Sequence, residues 1–193
     1  MRLASLLIVL VCCQLAHPGA AVAHDPMRTD TGASSDLGTI HFANSGAARA
    51  QPAFLRGLLA LHSFEYAAAR QGFQAAQKAD PGFAMAYWGE ALTYNQTLWR
   101  EQDIDAARAA LAKLAPDPAG RAAKAPTARE RAYLASVELL YGAGDKSVRD
   151  ANYSDALGAL AAAYPDDLDA RALYALSLLG LSNGERNEAN YMR

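Results

Sequence analysis

After Ala23 the chain contains only four valine or isoleucine residues, Ile40, Ile104, Val137 and Val148, whereas alanine occurs 45 times in 193 residues. Strands draw on β-branched side chains that pack on a pleated surface, and alanine is the best helix former because it has no rotamers to lose. The expected fold class is therefore all-α. Charge narrows the function classes in the same way: 18 Lys and Arg stand against 20 Asp and Glu, a net −2. No long run of one sign offers itself to a phosphate backbone, so nucleic acid is not expected as a partner.

The first residues read as an address. Arg2 precedes an apolar run over residues 3–15, His17, Pro18 and Gly19 interrupt it, and Ala21, Val22 and Ala23 form a small-x-small triplet. A positive start, a short apolar region and small residues at the end are the parts of a secretory signal, so cleavage is expected after Ala23 and the protein is expected to be exported, periplasmic or extracellular. The run is shorter than the roughly 20 residues that a membrane helix needs. No membrane span is expected once the signal is removed. Lipid anchoring at Cys13 is not expected, because Cys12 is a poor fit to the small residue such a signal wants. Both cysteines lie in residues 1–23, leaving a mature chain of charge −3 without disulfide, thiolate ligand or cysteine nucleophile. Residues 24–46, rich in Asp, Thr, Gly, Ser and Asn, read as a flexible leader, and residues 47–193 as the folded domain.

Within that domain apolar residues recur at helical spacing. Phe54, Leu55, Leu58, Leu59 and Leu61 mark one helix ending near His62. Ser63 reads as the N-cap of a second, from about Phe64 to Lys78, which Asp80, Pro81 and Gly82 terminate. A third from about Phe83 carries Tyr87, Ala91 and Tyr94, and a fourth from about Gln102 carries Ile104, Ala107, Leu111 and Leu114. Residues 115–126, with prolines at 116, 118 and 126, read as a loop. Thr127 and Glu130 have capping-box spacing at the start of a fifth helix. A long helix follows to about Tyr164, then a seventh with Leu173, Leu176 and Leu179, and another begins near Arg186.

Gly57, Tyr66, Ala69, Phe73, Ala76 and Pro81 are spaced by 9, 3, 4, 3 and 5 residues. This pattern resembles the tetratricopeptide repeat at six signature positions. Small residues at 57, 69 and 76 would let two helices approach closely, aromatics at 66 and 73 would fill the remaining space, and Pro81 would stop the second helix. An offset of 84 residues also pairs Pro81, Ala86, Ala91 and Leu92 with Pro165, Ala170, Ala175 and Leu176. The resemblance implies an antiparallel helix-pair solenoid of about three irregular units, the third spaced short of the pattern.

A broader resemblance rests on His41-Phe42, on Ala53-Phe54-Leu55-Arg56-Gly57-Leu58, and on Phe83-Ala84-Met85-Ala86-Tyr87-Trp88-Gly89-Glu90-Ala91-Leu92-Thr93-Tyr94-Asn95 with Leu98 and Trp99. Residues 38–193 are similar to a group of exported bacterial tetratricopeptide-repeat proteins. Their motif continues Asn-His-Pro where this chain has Asn95-Gln96-Thr97, and their chains run on through further helical pairs containing histidines. A truncated member of the group is expected, and the resemblance carries no activity with it.

In this repeat class the first helix of each pair lines a concave groove. In register, that puts Gln51, Phe54, Leu58, Leu61 and His62 in one unit, and Met85, Trp88, Leu92, Asn95 and Gln96 in the next, on the groove face. The candidate contact residues are Gln51, His62, Met85, Trp88, Asn95 and Gln96, facing a protein or peptide partner. Bland readings stay open beside them: Trp88 as packing, Asn95 as a cap of the third helix, His62 as a turn residue. Trp99 is expected as a core plug. The Lys and Asn of a carboxylate clamp are replaced here by Phe54 and Leu58. His24, His41 and His62 have no metal-binding spacing, so no metal and no cofactor is expected. Glu90 and Glu138 show no partner acid or nucleophile and read as solvated or cap-supporting, so no catalytic residue is assigned. The competing reading is a small-molecule or metal-dependent enzyme or binder, with a site between Tyr87 and Trp99 completed by residues outside this chain.

Overall fold

The computed structural model describes residues 37–182 and Met192. The export signal, Cys13, the cleavage point and the helix start read near Arg186 lie outside the described residues. Within them the chain is mostly helical: α1 Gln51–His62, α2 Tyr66–Ala79, α3 Ala84–Leu92, α4 Ile104–Ala112, α5 Pro118–Ala122, α6 Ala128–Leu140, α7 Lys146–Ala163 and α8 Leu168–Leu181. Among the described residues the one pair of strands, β1 Asn95–Gln96 and β2 Glu101–Gln102, is a minimal antiparallel hairpin between α3 and α4. No helix among the described residues is long and apolar enough to cross a membrane.

The turn from α1 to α2 differs from its sequence reading. Ser63 does not cap α2; it closes α1, its N–H donating to the Leu59 and Ala60 carbonyls. The Phe64 N–H then donates to Leu61 and the Glu65 N–H to Ala60, with Phe64 at φ 60°. Those two bonds and the left-handed residue between them make a Schellman ending, a place usually given to glycine. The chain reverses in three residues because Phe64 accepts this conformation.

Close approach of α1 and α2 follows from glycine on both sides. A Cβ on Gly72 would lie 2.6 Å from the Gly57 Cα, so the two backbones touch where side chains normally intervene. Gly72 is absent from the spacing pattern, while Ala69 and Ala76, which belong to it, are fully buried. Hydrogen bonds show α2 and α3 running antiparallel: Arg70 Nε donates to Thr93 Oγ1 at 3.1 Å, Gln74 Nε2 to Glu90 Oε1 at 2.8 Å, and Gln77 Nε2 to the Ala86 carbonyl at 3.2 Å. By contrast α3 and α6 run side by side in the same direction. Trp88 meets the Tyr133 ring edge-on at 5.1 Å, and further along both helices the Tyr141 hydroxyl donates to the Ala91 carbonyl at 2.8 Å.

Two further differences have local causes. Residues 118–122, read as loop, form α5, because Pro118 is at its first turn and the Asp117 side chain accepts from the Gly120 N–H. The leader expected over residues 24–46 is packed in its last part. Phe42 is buried, stacking on Trp88 at 5.9 Å, while the N–H and hydroxyl of Ser45 both donate to Glu130 Oε1 at 2.7 Å. Glu130 also completes the expected capping box with Thr127. Ring contacts of Phe42 and hydrogen bonds between residues 43–47 and Gln51, Asp80, Arg129 and Glu130 hold this segment, and such contacts leave no periodic trace in sequence.

Candidate functional site

Past Leu92 the chain leaves α3 and turns into the hairpin. Asn95 is fastened there on both sides: its Nδ2 donates to Thr97 Oγ1 at 3.1 Å, and its Oδ1 accepts from Gln102 Nε2 at 3.1 Å. Arg149 on α7 holds Gln102 in turn, at 2.9 Å. Under the hairpin are two adjoining cavities. One, of about 210 Å³, is lined by Leu61, His62, Phe64, Tyr66, Leu92 and, from α8, Leu173 and Leu176. The other, of about 280 Å³, is lined by Arg100, Lys146, Ser147, Asp150 and Ser177. Asn95, Thr97 and Tyr153 belong to both.

Phe64 and Arg100, at φ 60° and 61°, are the two non-glycine residues with positive φ among the described residues, and each lines one of these cavities. Such backbone costs of order 1–3 kcal/mol and collects at functional sites. Trp99 stands beside them, 56% exposed, its ring 5.9 Å from Phe64 and 6.1 Å from Tyr66. It is therefore a rim residue and not the expected core plug, because the hairpin tip carries it outward.

The structure sorts the six candidate contact residues. His62 and Asn95 meet at the apolar cavity. His62 Nε2 pairs with Asp169 Oδ1 at 2.8 Å, at the start of α8. Gln96 is in β1 opposite Glu101, beside the cavities without lining them. Gln51 is elsewhere, its amide bridging Asn44 Oδ1 and the Gly46 carbonyl at 2.7 Å each. Met85 and Trp88 are fully buried in the core.

Glu90 is not solvated as its sequence context suggested. Its side chain is inaccessible and accepts from Gln74 at 2.8 Å, Gln77 at 2.6 Å and Lys113 at 2.9 Å. Burial pushes its pKa up, but these three donors outweigh burial and hold the carboxyl below its ordinary range. The cluster ties α2, α3 and the end of α4 through a buried carboxylate. Among the described residues, no group of three or more His, Cys, Asp and Glu side chains is placed to hold a metal ion.

Sequence reasoning missed Tyr153, Thr97, Arg100, Leu173 and Leu176. Tyr153 is the most informative. It is 6% exposed, burial raises its pKa, and the residue borders both cavities. Its place in α7, where the repeat spacing runs short, gave no cue.

The fold and the site together define a helical protein with a paired cavity under a hairpin, walled by α1, α3, α7 and α8. No protein-family model matches the chain, and no curated protein or solved structure matches it either.

Proposed function

We propose that the protein is a non-catalytic, exported helical-repeat module of tetratricopeptide type that holds an extended peptide segment of a partner in its concave groove. The observation that carries this reading is the origin of the apolar cavity's walls. Leu61 and His62 come from α1, Leu92 from α3, and Leu173 and Leu176 from α8, with Tyr66 of α2 and Tyr153 of α7 completing the wall. In a stack where α1 pairs with α2, α3 with α4 and α6 with α7, α1 and α3 are first helices of their pairs and α8 opens the next. The same-direction packing of α3 and α6, and the glycine contact between α1 and α2, support that stack. One apolar side chain of the peptide fills the cavity, with the Trp99, Phe64 and Tyr66 rings packing beside it and His62 and Asn95 supplying polar contacts.

The test is a titration of the full chain with a panel of unstructured peptides rich in Leu and Phe, followed through Trp99 fluorescence. The reading expects saturable blue shifts that Leu176→Lys removes without changing the unfolding midpoint. If no peptide shifts the emission, or if Leu176→Lys leaves binding intact, the reading fails.

A further inference from the structure

Residues 38–47 form neither helix nor strand, and Phe42 is the one among them that is buried. Its ring enters an aromatic socket to which three helices give one ring each: Phe54 of α1 at 5.6 Å, Trp88 of α3 at 5.9 Å and Tyr133 of α6 at 5.3 Å. Side chains then grip the main chain that follows. Arg129 donates to the Ala43 carbonyl at 2.6 Å and Gln51 to the Gly46 carbonyl at 2.7 Å, while the Ser45 N–H donates to Glu130 at 2.7 Å and the Ala47 N–H to Asp80 at 2.8 Å. Gly46 passes Phe83 so closely that a Cβ would lie 2.6 Å from that ring, which is itself buried. A buried aromatic anchor, main-chain groups held by side chains and a position with room only for glycine are the means by which a groove reads an extended peptide. Gln51, Phe54 and Trp88, which the repeat register puts on the groove face, all take part.

From this geometry we infer that residues 38–47 are a ligand held in cis, and that the surface they cover on α1, α3 and α6 receives an extended segment of the same chemistry from a partner when they lift away. That chemistry is an aromatic residue followed at the third and fourth places by a hydroxyl residue and a glycine, as in Phe42, Ser45 and Gly46. The closed form carries a cost. Trp88 Nε1, on the ring that stacks with Phe42, is the one buried side-chain nitrogen or oxygen without a hydrogen-bond partner among the described residues. A tethered occupant acts at a local concentration of about millimolar, so it screens out weak competitors and yields to strong ones. The inference uses neither the apolar cavity nor Trp99, so it and the peptide reading can fail separately.

The experiment is fluorescence anisotropy of a labelled peptide with the sequence of residues 38–47, titrated with the full chain. Phe42→Ala empties the socket in cis and is expected to bind the peptide at least about tenfold more tightly than wild type. A peptide carrying Gly46→Val should bind that variant at least about tenfold more weakly, and adding Leu176→Lys to the chain should leave the affinity unchanged. Equal affinity of wild type and Phe42→Ala, no binding by either, or indifference to Gly46→Val would overturn the inference. Loss of binding with Leu176→Lys would overturn it too, because the peptide would then occupy the apolar cavity, and the peptide reading would stand. Hydrogen exchange of the wild-type chain decides the matter even where Phe42→Ala does not fold. Unlabelled peptide at millimolar concentration should speed exchange of the Ser45 and Ala47 amides at least about tenfold and leave those of α1, α3 and α6 protected, and unchanged exchange would overturn the inference.

Discussion

His62 and Asp169, 107 residues apart in sequence, meet at 2.8 Å and so join the last turn of α1 to the first turn of α8. The pair spans the ends of the described helical array and borders the apolar cavity on one side. Asp169 is nearly buried, whereas His62 keeps about a third of its side chain exposed. Removing the carboxylate by Asp169→Ala is expected to cost about 1 kcal/mol, the scale of one partly screened hydrogen bond. Urea unfolding measures it, and a midpoint equal to wild type would mean that the ends of the array are held together by packing alone.

Gly72 should tolerate no side chain. The Cβ of Gly72→Ala would meet the Gly57 Cα at 2.6 Å and the Ala53 carbonyl oxygen at 3.0 Å, both backbone atoms that cannot rotate away. The helices must then separate, and the expected loss is about 1–3 kcal/mol. Alanine is the better helix former, so an unchanged or higher stability would refute the close approach.

The two tryptophans should behave as opposites. Trp88 is fully buried between Phe42 and Tyr133, so Trp88→Ala is expected to cost about 3–5 kcal/mol. Trp99→Ala should change stability by no more than about 0.5 kcal/mol and remove the emission that acrylamide quenches. Quenching that survives Trp99→Ala would place the exposed indole at position 88 instead.

Acid sensitivity should trace to two carboxylates. Burial raises the pKa of both Glu90 and Asp167, but donors win at each: Gln74, Gln77 and Lys113 at the first, and Arg129, Tyr133 and the Ala170 N–H at the second. Both are thus held below their ordinary values of 4.5 and 3.8. A depressed pKa stabilises the fold fully above the unfolded value and loses that contribution as pH falls through the folded one. Unfolding free energy should hold above about pH 5 and fall below it, with Asp167→Asn showing a shallower fall. An identical acid profile in Asp167→Asn would exclude this carboxylate as a source.

Phe64 occupies a backbone position that suits glycine. Phe64→Gly relieves about 1–2 kcal/mol of left-handed strain and gives up contacts of a ring that is already 38% exposed. No net loss of stability is expected in thermal melts, whereas any ligand of the apolar cavity should bind more weakly. A drop of more than about 1 kcal/mol would mean that the ring is a structural plug.

How much of this was legible beforehand depended on the range of the interaction. The helices from α1 to α4 and α6 to α8, and the capping box at Thr127 and Glu130, are local consequences of periodicity and side-chain type, and they stand close to where the spacing puts them. Phe42 and Ser45 were read as leader because what holds them, Trp88 and Glu130, lies 46 and 85 residues further along the chain. The cavity was half legible. His62 and Asn95 came from repeat register, but Met85 and Trp88 shared that register and are core.

By itself the sequence determined that the chain is helical, because alanine abundance and near-absence of β-branched residues act on each turn separately. It also determined where most turns fall, since Pro and Gly act on their own dihedrals. Only the tertiary structure decided that α3 is buried along its whole length with Leu92 bordering a cavity, that Asp169 pairs with His62 of α1, and that Tyr153 lines the same cavity as that histidine. Those outcomes depend on how tightly successive helices approach, and that distance is set jointly by glycines, rings and carboxylates far apart in the chain.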